Sequence, residues 1–142
     1  ANRRQRMKTD WKELERKEAM GKRSLKILLV DNDRDILDVL GMLLEMDGAQ
    51  VAFAESYYEA LDKLDGDNFD IVVTDWRMPR MHGLYLLDMI KDTMPKMPVI
   101  IMTAYLSDEI RTEAKRRKVD LMLEKPFEYQ DLHSGIVRLV KK

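Results

Sequence analysis

The sequence predicts an α/β domain: a doubly wound, five-stranded parallel sheet of the (βα)5 kind, preceded by a basic helical arm. Two observations lead there. From Leu25 onward, five short runs rich in Val, Ile and Leu alternate with five segments whose apolar residues recur at helical spacing, which is how strands and helices taken in turn read. The short runs are also apolar throughout instead of alternating with polar residues, as parallel strands covered on both faces are. A chain of 142 residues with 45% hydrophobic content suffices for one such domain.

Taken in order, the first strand is read over Leu25 to Val30, and the helix after it carries the stripe Ile36, Leu40, Leu43 and Leu44. A second strand over Val51 to Ala54 leads to a helix marked by Ala60, Leu61 and Leu64. A third over Phe69 to Thr74 leads to Leu84, Leu87 and Ile90. The fourth strand, Pro98 to Thr103, precedes a helix with Ile110 and Ala114. The fifth, Val119 to Leu123, precedes the final stripe of Leu132, Ile136, Leu139 and Val140. The domain is thus placed at 25–142. Residues 1–24 have no strand signal and a short helical seam of Met7, Trp11 and Leu14, so they read as a helical extension or a linker from a neighbouring domain. A charged helix with such a seam also suits pairing with a second copy or docking on the body.

Charge is unevenly spread. The arm holds nine Lys/Arg against four Asp/Glu, leaving sixteen against twenty-two for the rest of the 25 basic and 26 acidic residues. With no cysteine, disulfides, thiolate metal sites and cysteine nucleophiles are excluded, and a reducing compartment is expected. No apolar run approaches the roughly 20 residues of a membrane span, and the first residues lack the apolar stretch of a secretory signal. A cytoplasmic protein without membrane contact is expected. The arm carries no recognisable nucleic-acid motif, so direct nucleic-acid binding is not expected.

In an open parallel sheet ligands bind beyond the carboxyl ends of the strands, so the residues that end strands come first. They are Asp31, Asn32 and Asp33 after the first strand, Asp75 after the third, Thr103 ending the fourth and Lys125 just past the fifth. Acidic oxygens, a hydroxyl and a lysine on one edge suit a hard cation such as Mg²⁺, held beside a carboxylate that attacks phosphorus. Lys125 and the cation would neutralise charge, and the Thr103 hydroxyl would donate to a phosphoryl oxygen.

These residues stand in motifs. ILLVDND holds Asp31 and Asn32; VVTDWRMPRMHG holds Asp75 with Met78, Pro79 and Gly83; VIIMTAY holds Thr103, Ala104 and Tyr105; LEKPF holds Lys125 and Pro126. In that order they resemble the receiver domains of two-component response regulators, a chemotaxis-regulator-like superfamily of flavodoxin-like fold, from about Leu25 to the C-terminus. The resemblance implies a phosphoacceptor domain, not an enzyme beyond self-phosphorylation from small donors and autodephosphorylation. Asp75 takes a phosphoryl group from a histidine kinase or histidine phosphotransfer protein. It implies Mg²⁺ on Asp31, Asn32, Asp75 and the backbone carbonyl of Arg77, a switch through Thr103, Ala104 and Tyr105, and a cis Lys125–Pro126 bond. It also implies that the fourth helix, fifth strand and fifth helix form the face that changes on phosphorylation. Leu121 and Met122 are expected to make that face apolar enough for self-association.

Two positions depart from the family pattern. Asn32 replaces an acidic residue that touches the metal, and a unit charge at about 5 Å in an effective dielectric near 20 is worth roughly 3 kcal/mol per unit of cation charge. Weaker Mg²⁺ binding follows. Lys118 and Val119 stand where Gly-Ala is common, and Lys115 to Lys118 make the end of the fourth helix basic, as suits a helix C-terminus. The remaining residues of note read as ordinary: His82 and His133 as loop and surface histidines, Tyr57, Tyr58, Tyr85 and Tyr129 as partly buried helix residues, and Trp76 as lining the pocket beside Asp75. A degenerate receiver that binds partners without phosphorylation is the nearest alternative. A haloacid-dehalogenase-type phosphatase is the other, since Asp31-Asn32-Asp33 spells its Asp-x-Asp, but the acidic pair it needs on a later strand is absent from the sequence.

Overall fold

A computed structural model describes residues 24–78 and 81–141 of the chain; the arm up to residue 23, with its seam, lies outside the described residues. Five parallel strands, β1 (Lys26–Val30), β2 (Gln50–Ala54), β3 (Ile71–Asp75), β4 (Val99–Thr103) and β5 (Leu121–Glu124), form one sheet in the order β2-β1-β3-β4-β5. The helices are α1 (Arg34–Met46), α2 (Tyr57–Gly66), α3 (Gly83–Thr93), α4 (Asp108–Arg116) and α5 (Tyr129–Val140). A short antiparallel hairpin, Arg77–Met78 with Met81–His82, joins β3 to α3. Strand order reverses beside β1, between β1 and β3, and a site at the carboxyl edge is expected there.

The apolar strand runs divide between two cores. Leu28, Val30, Val72, Val99 and Ile101 face α2, α3 and α4, whereas Ile27, Leu29, Ile71, Val73, Ile100 and Met102 face α1 and α5. That is why the runs of β1, β3 and β4 are continuous in sequence: their apolar residues are buried on one face or the other. Gly135 of α5 is where a Cβ would collide with the Leu121 side chain, so its bareness lets α5 sit close on β5. Helix starts are set by side-chain caps: Asp33 accepts from the amides of Asp35 and Ile36, Ser56 from Glu59 and Ser107 from Ile110.

The predicted boundaries hold to within two residues, and the shifts have causes. β3 begins at Ile71 because the Asp70 carboxylate accepts from the Lys26 amide at 2.8 Å, and it runs through Asp75 itself. β5 begins at Leu121, not Val119. Lys118 takes a left-handed turn at φ 66° after α4, and Asp120 spends its carboxylate on the Val99 amide and the Lys91 ammonium, both at 2.8 Å. A left-handed backbone after a helix is where glycine is favoured, and here a lysine adopts it. Of the basic run before it, Arg117 pairs with Asp88 of α3 and Arg116 with Glu113.

Several side-chain expectations are corrected. His133 is buried, at 4% exposure, not on the surface, because α5 turns it toward Asp47 at the end of α1. Tyr57 is buried, while Tyr58 and Tyr85 are 67% and 47% exposed. Leu121 and Met122 are half-buried, packed against the two cores on either face of β5, so they do not form a bare apolar surface. Leu37, absent from the predicted stripe of α1, is completely buried.

Candidate functional site

Asp31 follows β1 directly, and its amide donates to the Ala54 carbonyl at 3.1 Å, which carries the strand pairing one residue past Val30. Its side chain is 1% exposed, and each of its oxygens accepts one hydrogen bond. Oδ1 accepts from the Asp33 amide at 2.9 Å, and Oδ2 accepts from Lys125 Nζ at 2.8 Å. Asp75 ends β3, held in place where the Trp76 amide donates to the Met102 carbonyl at 2.7 Å. The same Lys125 ammonium lies 3.3 Å from Asp75 Oδ1. One lysine therefore joins two carboxylates that β1 and β3, neighbours at the switch point, bring to the same edge.

Lys125 owes its place to β5. Its amide donates to the Thr103 carbonyl at 2.7 Å, and the Lys125–Pro126 peptide is cis, as expected. Thr103 is 1% exposed, and its Oγ1 accepts from the Tyr105 amide at 3.1 Å. That bond uses a lone pair and leaves the hydroxyl proton available to another acceptor. Ala104 and Tyr105 are exposed, Tyr105 at 61%, with the Arg77 guanidinium 4.6 Å from the centre of its ring. Sequence reasoning used only the backbone of Arg77 and missed this contact, although a cation and an aromatic on one edge are a pairing worth testing.

Electrostatics follow from two carboxylates facing one ammonium. Burial, followed by the charge of Asp31, pushes the Asp75 carboxyl above its ordinary value, and Lys125 offsets part of this. For Lys125 burial alone would lower the pKa, but its hydrogen bond to Asp31, the charge of Asp31 and then Asp75 outweigh it, so the ammonium is held above its usual range. The pocket retains an excess of negative charge.

The other predicted residues divide. Asn32 is exposed beside Asp31, and Asp33 is committed to capping α1. Trp76 packs into the core on the α2, α3 and α4 side and lines a cavity of about 450 Å³ with Leu84, Tyr85 and Ile110. No group of three or more His, Cys, Asp or Glu suited to a metal occurs among the described residues. Mg²⁺ needs less: one or two carboxylates, neutral oxygens and water. Two buried carboxylates converging on the single cationic point of Lys125 Nζ fit that requirement.

Comparison with known proteins agrees with this arrangement. The family described as "Response regulator receiver domain" matches residues 27–137. The transcriptional regulatory protein GlrR of Escherichia coli strain K12 is 38% identical over 110 residues, 78% of this chain but 25% of GlrR, so the chain spans about a quarter of that relative. Among solved structures, a CheY-like receiver domain from Methanospirillum hungatei is 30% identical with a TM-score of 0.80, over 83% of this chain and 94% of that one. The response regulator TrrA from Thermotoga maritima, in complex with Mg(2+)-BeF, is 29% identical with a TM-score of 0.74, over 81% and 98%. With the strand order, the paired carboxylates and the lysine all on one edge, the chain belongs to the response regulator receiver domain family of two-component signalling.

Proposed function

We propose that Asp75 is the phosphoacceptor, taking a phosphoryl group from a phosphohistidine of a histidine kinase or histidine phosphotransfer protein in the cytoplasm. The observation that carries this reading is the Lys125 ammonium seated between Asp31 and Asp75, at 2.8 and 3.3 Å. Asp75 is the more accessible of the two carboxylates: 12% of its side chain is exposed against 1% for Asp31. It is the one an incoming group can reach.

In the transfer an Asp75 oxygen forms a bond to phosphorus as the phosphorus–nitrogen bond of the donor breaks, and the electron pair returns to the imidazole. Such transfers depend on positioning and charge neutralisation more than on covalent help. Lys125, anchored by Asp31, stands ready to neutralise the arriving phosphoryl oxygens. Asp31, Asn32, Asp75 and the Arg77 backbone carbonyl would hold Mg²⁺, whose positive charge supplements that of Lys125 when bound. Asp31 is the anchoring ligand and Asn32 the weak one, being exposed and neutral.

Thr103 reads the result. Its hydroxyl proton donates to a phosphoryl oxygen, drawing the end of β4 toward Asp75; small Ala104 lets the backbone follow, and Tyr105 turns inward from its outward place against Arg77. This is a local charge event read by a two-state element. The phosphoryl group shifts the balance only by its differential interaction with the two states. The role is that of a switch, and output passes to a partner.

The test is incubation with Mg²⁺ and acetyl phosphate, followed by intact mass. Uptake of one phosphoryl group, absent without Mg²⁺ and absent in Asp75→Asn, supports the proposal. No uptake by the unaltered protein overturns it in favour of a binding module that works unphosphorylated.

A further inference from the structure

The hollow of about 450 Å³ that Trp76 lines lies between α3 and α4, and its walls combine two kinds of side chain. One kind is apolar and aromatic. Trp76, Leu84 and Ile110 belong to the core of that face or pack on it, and Tyr85 adds a second ring that is 47% exposed. Both rings are held in place. Trp76 is 8% exposed within the core, and the buried Tyr57 meets the Tyr85 ring edge-on with centroids 5.1 Å apart. A pocket whose walls are fixed beforehand loses little conformational freedom when something enters it.

The other kind is charged. α4 contributes Glu109 and Glu113, four residues apart and so on one side of the helix, and the residue that caps it, Arg117, lies four further on. Arg117 is already neutralised, because its guanidinium lies 2.5 Å from the carboxylate of Asp88 on α3. Glu113 has a looser partner in Arg116, at 3.6 Å and with that side chain 74% exposed. Glu109 has no ion pair among the described residues. The α4 wall therefore carries an excess of negative charge opposite two aromatic rings. Carboxylates and ring faces attract the same kind of group, a cation. A largely apolar cavity of roughly 300–1,000 Å³ suits a small organic molecule, so the cation should carry an apolar body. The hollow between α2 and α3, of about 490 Å³, is a useful contrast: Asp62 and Asp65 line it, but no aromatic side chain does.

We propose that the hollow between α3 and α4 binds a small organic ammonium ion with an aromatic body, its charge at Glu109 and Glu113 and its body against Trp76 and Tyr85. Binding there requires no phosphoryl chemistry at Asp75, so the two readings stand or fall separately.

The probe is phenethylammonium, titrated into the full-length protein labelled with ¹⁵N at tryptophan. The chain has two tryptophans, and Trp11→Phe assigns their two indole signals. The Trp76 signal is expected to shift saturably. Phenethyl alcohol, with the same ring and chain but no charge, should bind about tenfold more weakly, and phenylpropionate should not bind. Changing Glu109→Gln together with Glu113→Gln should bring the amine down to the level of the alcohol, with thermal unfolding unchanged as the check on folding. Tyr85→Leu keeps an apolar wall without the ring, and it should weaken the amine more than the alcohol. Equal affinity for amine and alcohol would overturn the proposal by reducing the site to an apolar hollow. So would the absence of a saturable Trp76 shift at amine concentrations on the order of 10 mM.

Discussion

Two buried carboxylate clusters stand in this small domain, and they are built oppositely. At the strand ends, Asp31 and Asp75 share a single Lys125 ammonium, and part of Asp75 and Lys125 reaches solvent. At the end of α1, Asp47 is 4% exposed; Tyr129 donates its hydroxyl to Asp47 Oδ2 at 2.7 Å, and His133 lies 3.8 Å from that oxygen. The second cluster is enclosed, and the Tyr129 hydroxyl on its one carboxylate ties α5 to α1. The first is left with more negative charge than its lysine balances. Buried polar groups that are satisfied hold a structure together, whereas strained ionisation in a cleft marks a place where something is to bind. What separates the site from the scaffold is a second carboxylate on the same ammonium and a partial opening to solvent.

The largest way to break this contrast is Lys125→Met. Removing the shared cation leaves two facing carboxylates, and a loss of about 2 kcal/mol is expected in urea unfolding, below the usual figure for a fully buried pair because Lys125 is partly exposed. Phosphoryl uptake should fall by about 100-fold, as when one charge-stabilising donor is taken from a transition state. Equal stability with and without the lysine would mean the carboxylates do not repel. Tyr129→Phe is the mirror experiment: it takes one donor from Asp47 and should cost about 1–2 kcal/mol, with phosphoryl uptake unchanged. A loss of uptake there would erase the distinction between the clusters.

A smaller effect concerns Asp75 itself. Because its folded-state pKa lies above the ordinary 3.8, the folded protein binds this proton more tightly than the unfolded chain does. The associated stability is full below 3.8 and is lost as pH rises through the raised value. Asp75→Asn should therefore unfold with a free energy about 1 kcal/mol higher near neutral pH without Mg²⁺, with the advantage fading in acid. A variant no more stable than the parent at neutral pH contradicts the imbalance. Smallest is Asn32→Asp. Solvent exposure of position 32 cuts the roughly 3 kcal/mol of a semi-buried charge to about 1 kcal/mol. Mg²⁺ titration should tighten several-fold, and no tightening would place position 32 outside the cation's reach.

These clusters also differ in how far the sequence discloses them. Asp31, Asp75, Thr103 and Lys125 each close or closely follow an apolar run, and parallel topology collects strand ends at one edge, so period and position alone brought them together. Asp47, Tyr129 and His133 have no such signature. They meet because α5 crosses α1 at a particular angle, fixed by close packing at bare Gly135 and by core contacts spread along both helices. For the same reason His133 was read as a surface residue. The left-handed turn at Lys118 was equally hidden, since only a glycine there would have announced it. Arg77 against Tyr105 falls between: both residues were in view, but their contact depends on side-chain direction after a short hairpin.

The most direct measurement is to treat the protein with Mg²⁺ and acetyl phosphate, reduce any acyl phosphate with borohydride, and sequence the peptides by mass spectrometry. Reduction converts a phosphorylated aspartate to homoserine, and the account predicts homoserine at position 75 with aspartate intact at 31 and 47. Homoserine at 31, or none anywhere, would contradict it.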